Sequence, residues 1–285
     1  MSILQAQFDA IQAPTNSKRQ LNPDNATKNW YRLVKVYSNR ALTKPEDRIL
    51  AISGIAERYG RVFGDQYCAG MWRSTFANAL YWQPGHNARP QPRPTKWQGP
   101  SWSWTSVNAP VDFPHLIGSD SKHKPIIMAV DTKLVNPDDP YGAVQEGSCQ
   151  LIVKARLSPA ALRFETDVDG KLKARAGSIS MGGKADVFEI PISYDAVEPE
   201  PERGENNAVF LELSSVLEDH RWSTRGLVAR GKGGTNIFIR IGTFDCSGQH
   251  NRTRQENKSV EDWKRRARYE LCWFDGNPEE DYIII

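Results

Sequence analysis

Short segments in which apolar and polar residues alternate recur through the last two thirds of the chain. Between Cys149 and Leu157 every second residue is apolar and most of the residues between are polar, which is the pattern of a half-buried strand. The Asp-Gly pair at 169–170 predicts a hairpin. Many short strands separated by Gly and Pro predict an antiparallel sandwich or a partly open barrel. The other strand candidates are 126–130, 161–165, 172–176, 186–193, 208–214, 226–230, 236–242 and 281–285.

The first eighty residues follow a helical pattern instead. Trp30, Leu33, Val34 and Tyr37 share one face at helical spacing, which predicts a helix that begins near residue 27. An apolar stripe from residue 49 to about residue 60 predicts a second helix. The glycine inside it, Gly54, suggests either the close approach of another element or a kink. A third helix is predicted over 66–81.

The beginning of the second helix has the form of a capping box, with Glu46 three residues after Thr43. Arg40, Asp47 and Arg48 lie around it. These charges have two interpretations. They form a charged functional site at the junction of two helices, or the arginine side chains cap and bridge the helix ends.

Composition and punctuation divide the chain into four segments. Residues 1–27 have little periodicity and form a loose leader, residues 28–82 form the helical region, and residues 83–99 form a Pro-rich arm. Residues 100–285 form an antiparallel β-rich domain. The predicted fold class is α+β, with a small N-terminal helical bundle docked on the larger β-rich domain.

Charge is distributed unevenly along the 285 residues. Residues 1–99 hold 14 Lys and Arg against 6 Asp and Glu, and residues 100–285 hold 23 against 28. Opposite net charges favour docking of the two parts on each other. The basic residues are dispersed, so nucleic-acid binding is the weaker interpretation.

Several common site types have no support in the sequence. The four cysteines are scattered without a Cys-X-X-Cys pair, and the five histidines lack the spacing of a zinc site. We therefore expect no metal, no cofactor and no disulfide framework. The sequence holds no apolar run of about 20 residues and begins without a secretory signal pattern. We expect a cytoplasmic protein that does not enter a membrane.

Two tryptophans two residues apart, Trp102 and Trp104, alternate with small hydroxyl residues in the segment 100–107. This alternation predicts a strand with one aromatic face. Together with Trp82 and Trp97 of the flanking Pro-rich segment, these residues have two interpretations. They form an aromatic interaction surface for a sugar or a partner peptide, or they form a buried aromatic seam that joins the helical region to the sheet.

The Gly-Lys-Gly-Gly stretch at 231–234 invites comparison with a phosphate-binding loop. That motif needs a different spacing, with a strand before it and a helix after it. Here a second strand candidate follows the glycines. The sequence therefore favours a tight hairpin at this position.

The tryptophan segment is one of a series of short phrases that lie at 37–43, 45–56, 69–72, 100–107, 139–142, 225–228, 238–244 and 282–285. In order and spacing, these phrases resemble the region that follows the HET domain in fungal heterokaryon-incompatibility proteins. Together they span most of residues 28–285. The phrases that define the HET domain itself do not occur in the sequence, so the resemblance carries over no catalytic residue.

The resemblance implies a non-enzymatic recognition or regulatory region that acts in non-self recognition and cell-death signalling. Its expected partner is a HET domain or another protein, and an exposed helical face would cause self-association. Two alternatives come from other classes of protein. One is a carbohydrate- or peptide-binding β-domain that uses the tryptophans. The other is an enzyme of unrecognised type, which predicts a pocket of convergent polar groups with shifted pKa values.

Overall fold

The computed structural model shows a chain that contains both helices and strands. Helices lie in the first third and strands make up most of the rest. The α+β prediction is confirmed at this level. The described residues are 23–40, 42–85, 88, 91–114, 125–166, 172–180, 187–190, 192–197, 208–218, 221–249, 274 and 277–285.

Two helices of the N-terminal part match the sequence pattern. Helix α1 (Pro23–Ser38) buries the apolar stripe that predicted it, and helix α2 (Leu50–Phe63) buries most of its own, with Leu50 exposed. Helix α2 ends at Gly64, whose φ of 61° lets its N–H reach the carbonyl oxygen of Gly60. A 3₁₀ turn (Pro45–Arg48) precedes α2.

The predicted capping box at the start of this turn is wrong. Lys44 occupies the N-cap position, and no side chain caps the turn. The carboxylate of Glu46 is engaged elsewhere, because it accepts a hydrogen bond of 2.8 Å from Lys96.

The predicted third helix over 66–81 is also wrong. Strands β1 (Tyr67–Cys68) and β2 (Met71–Trp72) form a small hairpin, followed by a 3₁₀ turn (Arg73–Thr75) and the single helical turn α3 (Phe76–Ala79). Ala69 and Gly70 have φ values of 47° and 92°. Residues in this left-handed region reverse the chain and interrupt a helix.

Strands β3 (Gln83–Pro84) and β4 (Val111–Asp112) pair with each other in a separate two-stranded sheet. The later strands form one large sheet, and most of the predicted strand positions are confirmed. The strands of the large sheet are β5 (Ile126–Asp131), β6 (Gln150–Thr166), β7 (Leu172–Ser180), β8 (Val187–Ile190), β9 (Ile192–Tyr194), β10 (Ala208–Glu218), β11 (Arg221–Gly231), β12 (Ile237–Gln249) and β13 (Glu279–Ile284). The antiparallel prediction needs a correction, because β12 and β13 pair in parallel and the large sheet is mixed. The Asp-Gly turn predicted at 169–170 lies outside the described residues.

Five strands of this sheet pair in a closed cycle. Strand β10 pairs with β11, β11 with β12, β12 with β13, β13 with β6, and β6 with β10 again. Strand β6 can take part in two of these pairings because it is 17 residues long. Its first half pairs with β13 and its middle pairs with β10. Closure removes free edges from the cycle.

Apolar side chains on the two faces of the sheet belong to two separate clusters. Leu211 and Leu227 belong to the larger cluster, which also contains Trp30 of α1. Phe210 and Val228, their neighbours in sequence, belong to the smaller one. Alternate residues of a strand point to opposite faces, so the helical region packs against one face of the sheet and shares its core.

Alanine substitutions at two glycines test this packing, and we expect them to change the free energy of unfolding in opposite directions. A Cβ atom on Gly226 of β11 would overlap the carbonyl oxygen of Leu211, whereas a Cβ on Gly54 of α2 would meet no atom within 4 Å. The close approach suggested at Gly54 is therefore wrong. We expect Gly226→Ala to lower the free energy of unfolding by about 1–3 kcal/mol. Gly54→Ala should raise it by about 0.5–1 kcal/mol, because alanine favours the helix. Urea unfolding measures both; equal effects of the two variants would contradict this account.

Candidate functional site

The tryptophan phrase forms a tight turn, not the predicted strand. A 3₁₀ turn (Trp104–Ser106) follows Ser103, whose hydroxyl accepts a hydrogen bond of 3.1 Å from the N–H of Thr105. The same hydroxyl donates to the carbonyl oxygen of Ala69. Small hydroxyl side chains favour such turns because they bond with nearby backbone groups in place of a strand partner.

Three of the four tryptophans assigned to an interaction surface are inaccessible. Trp82, Trp102 and Trp104 are each 0% exposed. The indole N–H of Trp82 donates a hydrogen bond of 2.9 Å to the carbonyl oxygen of Trp102, and that of Trp104 donates one of 2.8 Å to Gly70. The buried aromatic seam therefore describes these three side chains. Trp97 is only half-buried.

Arg48 belongs to the same seam. Its guanidinium lies 5.2 Å from the centre of the Trp104 ring and donates a hydrogen bond of 3.0 Å to the carbonyl oxygen of Ala109. Burial lowers the pKa of Arg48 to about 10. Arg40 is exposed, and Asp47 is half-buried. The bridging interpretation therefore fits Arg48, which connects α2 to the segment before β4.

Arg240 of β12 is the most enclosed charge among the described residues. It is 0% exposed and forms two hydrogen bonds with the carboxylate of Asp195, at 2.8 and 3.0 Å. It also donates to the carbonyl oxygens of Leu80 and Trp82, and it lies 3.8 Å from the centre of the Trp82 ring. One guanidinium thus holds together the sheet, the segment after β9 and the chain leading out of α3.

The glycine-rich stretch at 231–234 forms the favoured hairpin. The N–H of Lys232 donates a hydrogen bond of 2.9 Å to the carbonyl oxygen of Ile237. Gly233 and Gly234 have φ values of 48° and 71°, which suits glycine in a tight turn. Strand β12 follows the turn, so the phosphate-loop interpretation is excluded by its own structural requirement.

A cleft of about 510 Å³ opens between the Pro-rich arm, this hairpin and the loop before β6. Ile237, Ile239 and Ile285 supply aliphatic side chains, and Trp97 supplies an aromatic one. This volume lies within the range of about 300–1,000 Å³ that is typical of ligand pockets. The other lining residues are Arg93, Pro94, Lys96, Gln98, Gly99, Pro100, Ser101, Ser106, Glu146, Gly147, Cys149, Gln150 and Lys232.

Comparison with known proteins adds no homologue to this description. No family model, curated protein or solved structure matches the chain.

The cleft contains a thiol whose pKa shift bears on catalysis. Burial raises the pKa of Cys149, so the side chain stays a protonated thiol and is a weak nucleophile. The pKa of Lys96 is raised by its hydrogen bond to Glu46, so this amine stays protonated. Neither direction of shift prepares a reactive group.

Within the described ranges, no three His, Cys, Asp or Glu side chains come close enough together to hold a metal ion. The five histidines weighed in the sequence lie outside those ranges. None of the helices in the described part of the chain combines the length and apolar composition needed to cross a membrane.

Burial of Cys68 leads to a prediction about its reactivity. Burial raises the pKa of this thiol from 9.0 to about 12, so we expect iodoacetamide at pH 8.5 to label it only after unfolding. The pKa of the Cys68 thiol is higher in the folded protein than in the unfolded one. The protonated, buried thiol therefore contributes fully to stability below pH 9, and this contribution is lost as the pH rises towards 12. Mass spectrometry of peptides labelled with and without urea measures the protection. Labelling in the folded protein at the rate of the half-buried Cys246 would contradict it.

Proposed function

We propose that this chain is a non-enzymatic recognition and regulatory module of the kind that follows the HET domain in fungal heterokaryon-incompatibility proteins. In this proposal the helical region and the β-rich region dock as one unit. That unit binds and restrains a HET domain in the cytoplasm and so takes part in non-self recognition and cell-death signalling. The observation that supports it most is that the phrases responsible for the resemblance contact one another.

Four of these phrases meet around the Trp104 ring. Trp104 donates its indole N–H to Gly70 of the phrase 69–72, and Arg48 of the phrase 45–56 lies over its ring. The hydroxyl of Tyr37, from the first phrase, donates a hydrogen bond of 2.7 Å to the carbonyl oxygen of Arg48. The ring of Tyr37 also lies edge-on to Trp104, with centroids 6.0 Å apart.

The phrases of the β-rich part connect to the same seam. The hydroxyl of Ser101 accepts a hydrogen bond of 3.0 Å from the N–H of Arg240, and the N–H of Ser101 donates one of 3.1 Å to Ile285. Phe238 and Tyr282 pack edge-to-face at 5.7 Å. Through these contacts the residues of the phrases stabilise the fold. A structural role of this kind supports a recognition scaffold more than a catalytic centre.

The regulatory part of the proposal is tested by co-expression. A HET domain expressed alone in fungal cells is compared with the same domain expressed together with this chain, and cell viability is counted. We expect the chain to restore viability. Co-expression with the destabilised variant Trp104→Ala serves as the control. Equal cell death with and without the folded chain, across the HET domains of one organism, would contradict restraint.

A second candidate function is peptide or carbohydrate binding by the β-rich part. The observation that favours it is the half-buried Trp97 at the 510 Å³ cleft. This candidate no longer needs the three buried tryptophans. It also agrees with the leading proposal, since a recognition module requires a surface that contacts its partner.

A further inference from the structure

The cleft beside Trp97 combines an aliphatic floor with basic rims, and we propose that it binds an extended peptide of a partner protein in which an apolar side chain is flanked by acidic ones. The proposal deepens the proposed function and rests on its premise that the chain recognises another protein. It adds the chemical class of the recognised segment and the residues that bind it.

The floor of the cleft determines the apolar part of the ligand. Ile237, Ile239 and Ile285 present aliphatic side chains beside Trp97. Such a floor favours a ligand that covers it with an apolar side chain, because both surfaces are then removed from water. A sugar would place hydroxyl groups against isoleucine without hydrogen-bond partners, which is unfavourable.

The rims determine the charge of the ligand. Lys96 lies on the Pro-rich side and Lys232 on the hairpin side, and both residues are exposed. Lys96 pairs with Glu46, but the side chains of this pair are 75% and 35% exposed. Water screens a pair this accessible, so Lys96 can exchange it for an acidic ligand at little cost. Among the described residues that line the cleft, Arg93, Lys96 and Lys232 are basic and Glu146 alone is acidic, which leaves the lining with an excess of positive charge.

The walls are held in place before any ligand binds. Arg93 donates a hydrogen bond of 2.7 Å to the carbonyl oxygen of Arg240, and the N–H of Val197 donates one of 2.7 Å to Gln91. Pro94 and Pro100 restrict the backbone of the same segment. A preformed cleft loses little conformational entropy when a peptide binds.

The test is selection from a displayed library of random decapeptides on the folded, full-length chain. The proposal predicts that enriched peptides contain an aliphatic or aromatic residue with Asp or Glu on both sides. Isothermal titration of a synthetic enriched peptide then measures affinity. Lys232→Glu should weaken binding about tenfold, and Glu146→Gln should strengthen it about twofold to threefold. Trp97→Ala should weaken it about tenfold or more, because aromatic anchors dominate such interfaces.

The charge reversal Arg61→Glu is the matched control, because Arg61 is exposed and does not line the cleft. It should leave the affinity unchanged. Enrichment of basic or uncharged peptides, enrichment of none, or binding indifferent to all three cleft variants would overturn the proposal. Octanoate is titrated in parallel. Octanoate bound in the cleft together with no enriched peptide would indicate a small-molecule site instead. A failure here leaves the HET-domain viability result standing, so the two proposals can fail separately.

Discussion

Replacing Arg240 by Met is expected to lower the free energy of unfolding by about 3–5 kcal/mol. The substitution removes both hydrogen bonds to the carboxylate of Asp195, which is 1% exposed and is left with the more distant guanidinium of Arg93 at 3.9 Å. It also removes hydrogen bonds to the carbonyl oxygens of Leu80 and Trp82. Those acceptors have no access to water, so the loss is not compensated by solvent.

Urea unfolding followed by circular dichroism measures this effect. Arg61→Met is the matched control, because Arg61 forms a surface pair with Glu57 in which its side chain is 74% exposed. That control should change stability by at most about 0.5 kcal/mol. The double variant Arg240→Met with Asp195→Leu should recover part of the loss, since it also removes the buried carboxylate that lost its hydrogen bonds. Equal stability of the Arg240 and Arg61 variants would contradict the role assigned to Arg240.

Replacing Trp104 by Ala is expected to lower the free energy of unfolding by about 3–5 kcal/mol. The ring is fully buried, so its removal leaves a cavity between α1, the 3₁₀ turn before α2 and the turn that joins β1 to β2. It also leaves the carbonyl oxygen of Gly70 without its donor and Arg48 without the ring beneath it. The lost hydrogen bond to Gly70 and the lost contact with Arg48 add to the cost of the cavity, which explains the size of the effect.

The half-buried Trp97 supplies the control for this variant. Trp97→Ala should cost about 1 kcal/mol, because less of its apolar surface is buried. The two variants are compared by urea unfolding under the same conditions. A loss for Trp104→Ala no larger than for Trp97→Ala would show that the seam does not hold the two parts of the chain together.

The strands and the first two helices could be predicted from the sequence because their patterns are local. The third helix could not. Met71, Trp72, Phe76 and Leu80 have helical spacing, but the left-handed backbone at Ala69 reverses the chain within that stretch. An alanine at such a position gives no sequence signal, since only glycine and asparagine adopt it readily.

In the tryptophan phrase the pattern predicted a strand, whereas the chain forms a turn. Residues two apart share a face in a strand, but Trp102 and Trp104 both reach the core from a tight turn whose hydroxyl groups bond to the backbone.

One feature of the sequence does indicate the buried ion pair of the core. Arg240 lies within the apolar segment 237–241, where a charge requires a buried partner. Asp195 lies 45 residues away, so sequence proximity could not identify it as that partner.

The cleft could not be predicted at all. It brings together four segments, around residues 93–101, 146–150, 232–239 and 285. Each segment alone resembles an ordinary loop or strand end. Their convergence depends on the closed cycle of strands and on the pinned Pro-rich arm. Of the four tryptophans considered from the sequence, only Trp97 lines this cleft.

The central claim is that this chain recognises a protein partner, and size-exclusion chromatography with light scattering tests it most directly. The chain has a mass of 32.2 kDa and is measured alone and mixed with a HET domain from the same organism. The account predicts a single peak whose mass is the sum of the two proteins. It also predicts that any self-association of the isolated chain disappears in the mixture. Two separate peaks, each with the mass found for that protein alone, would contradict the account.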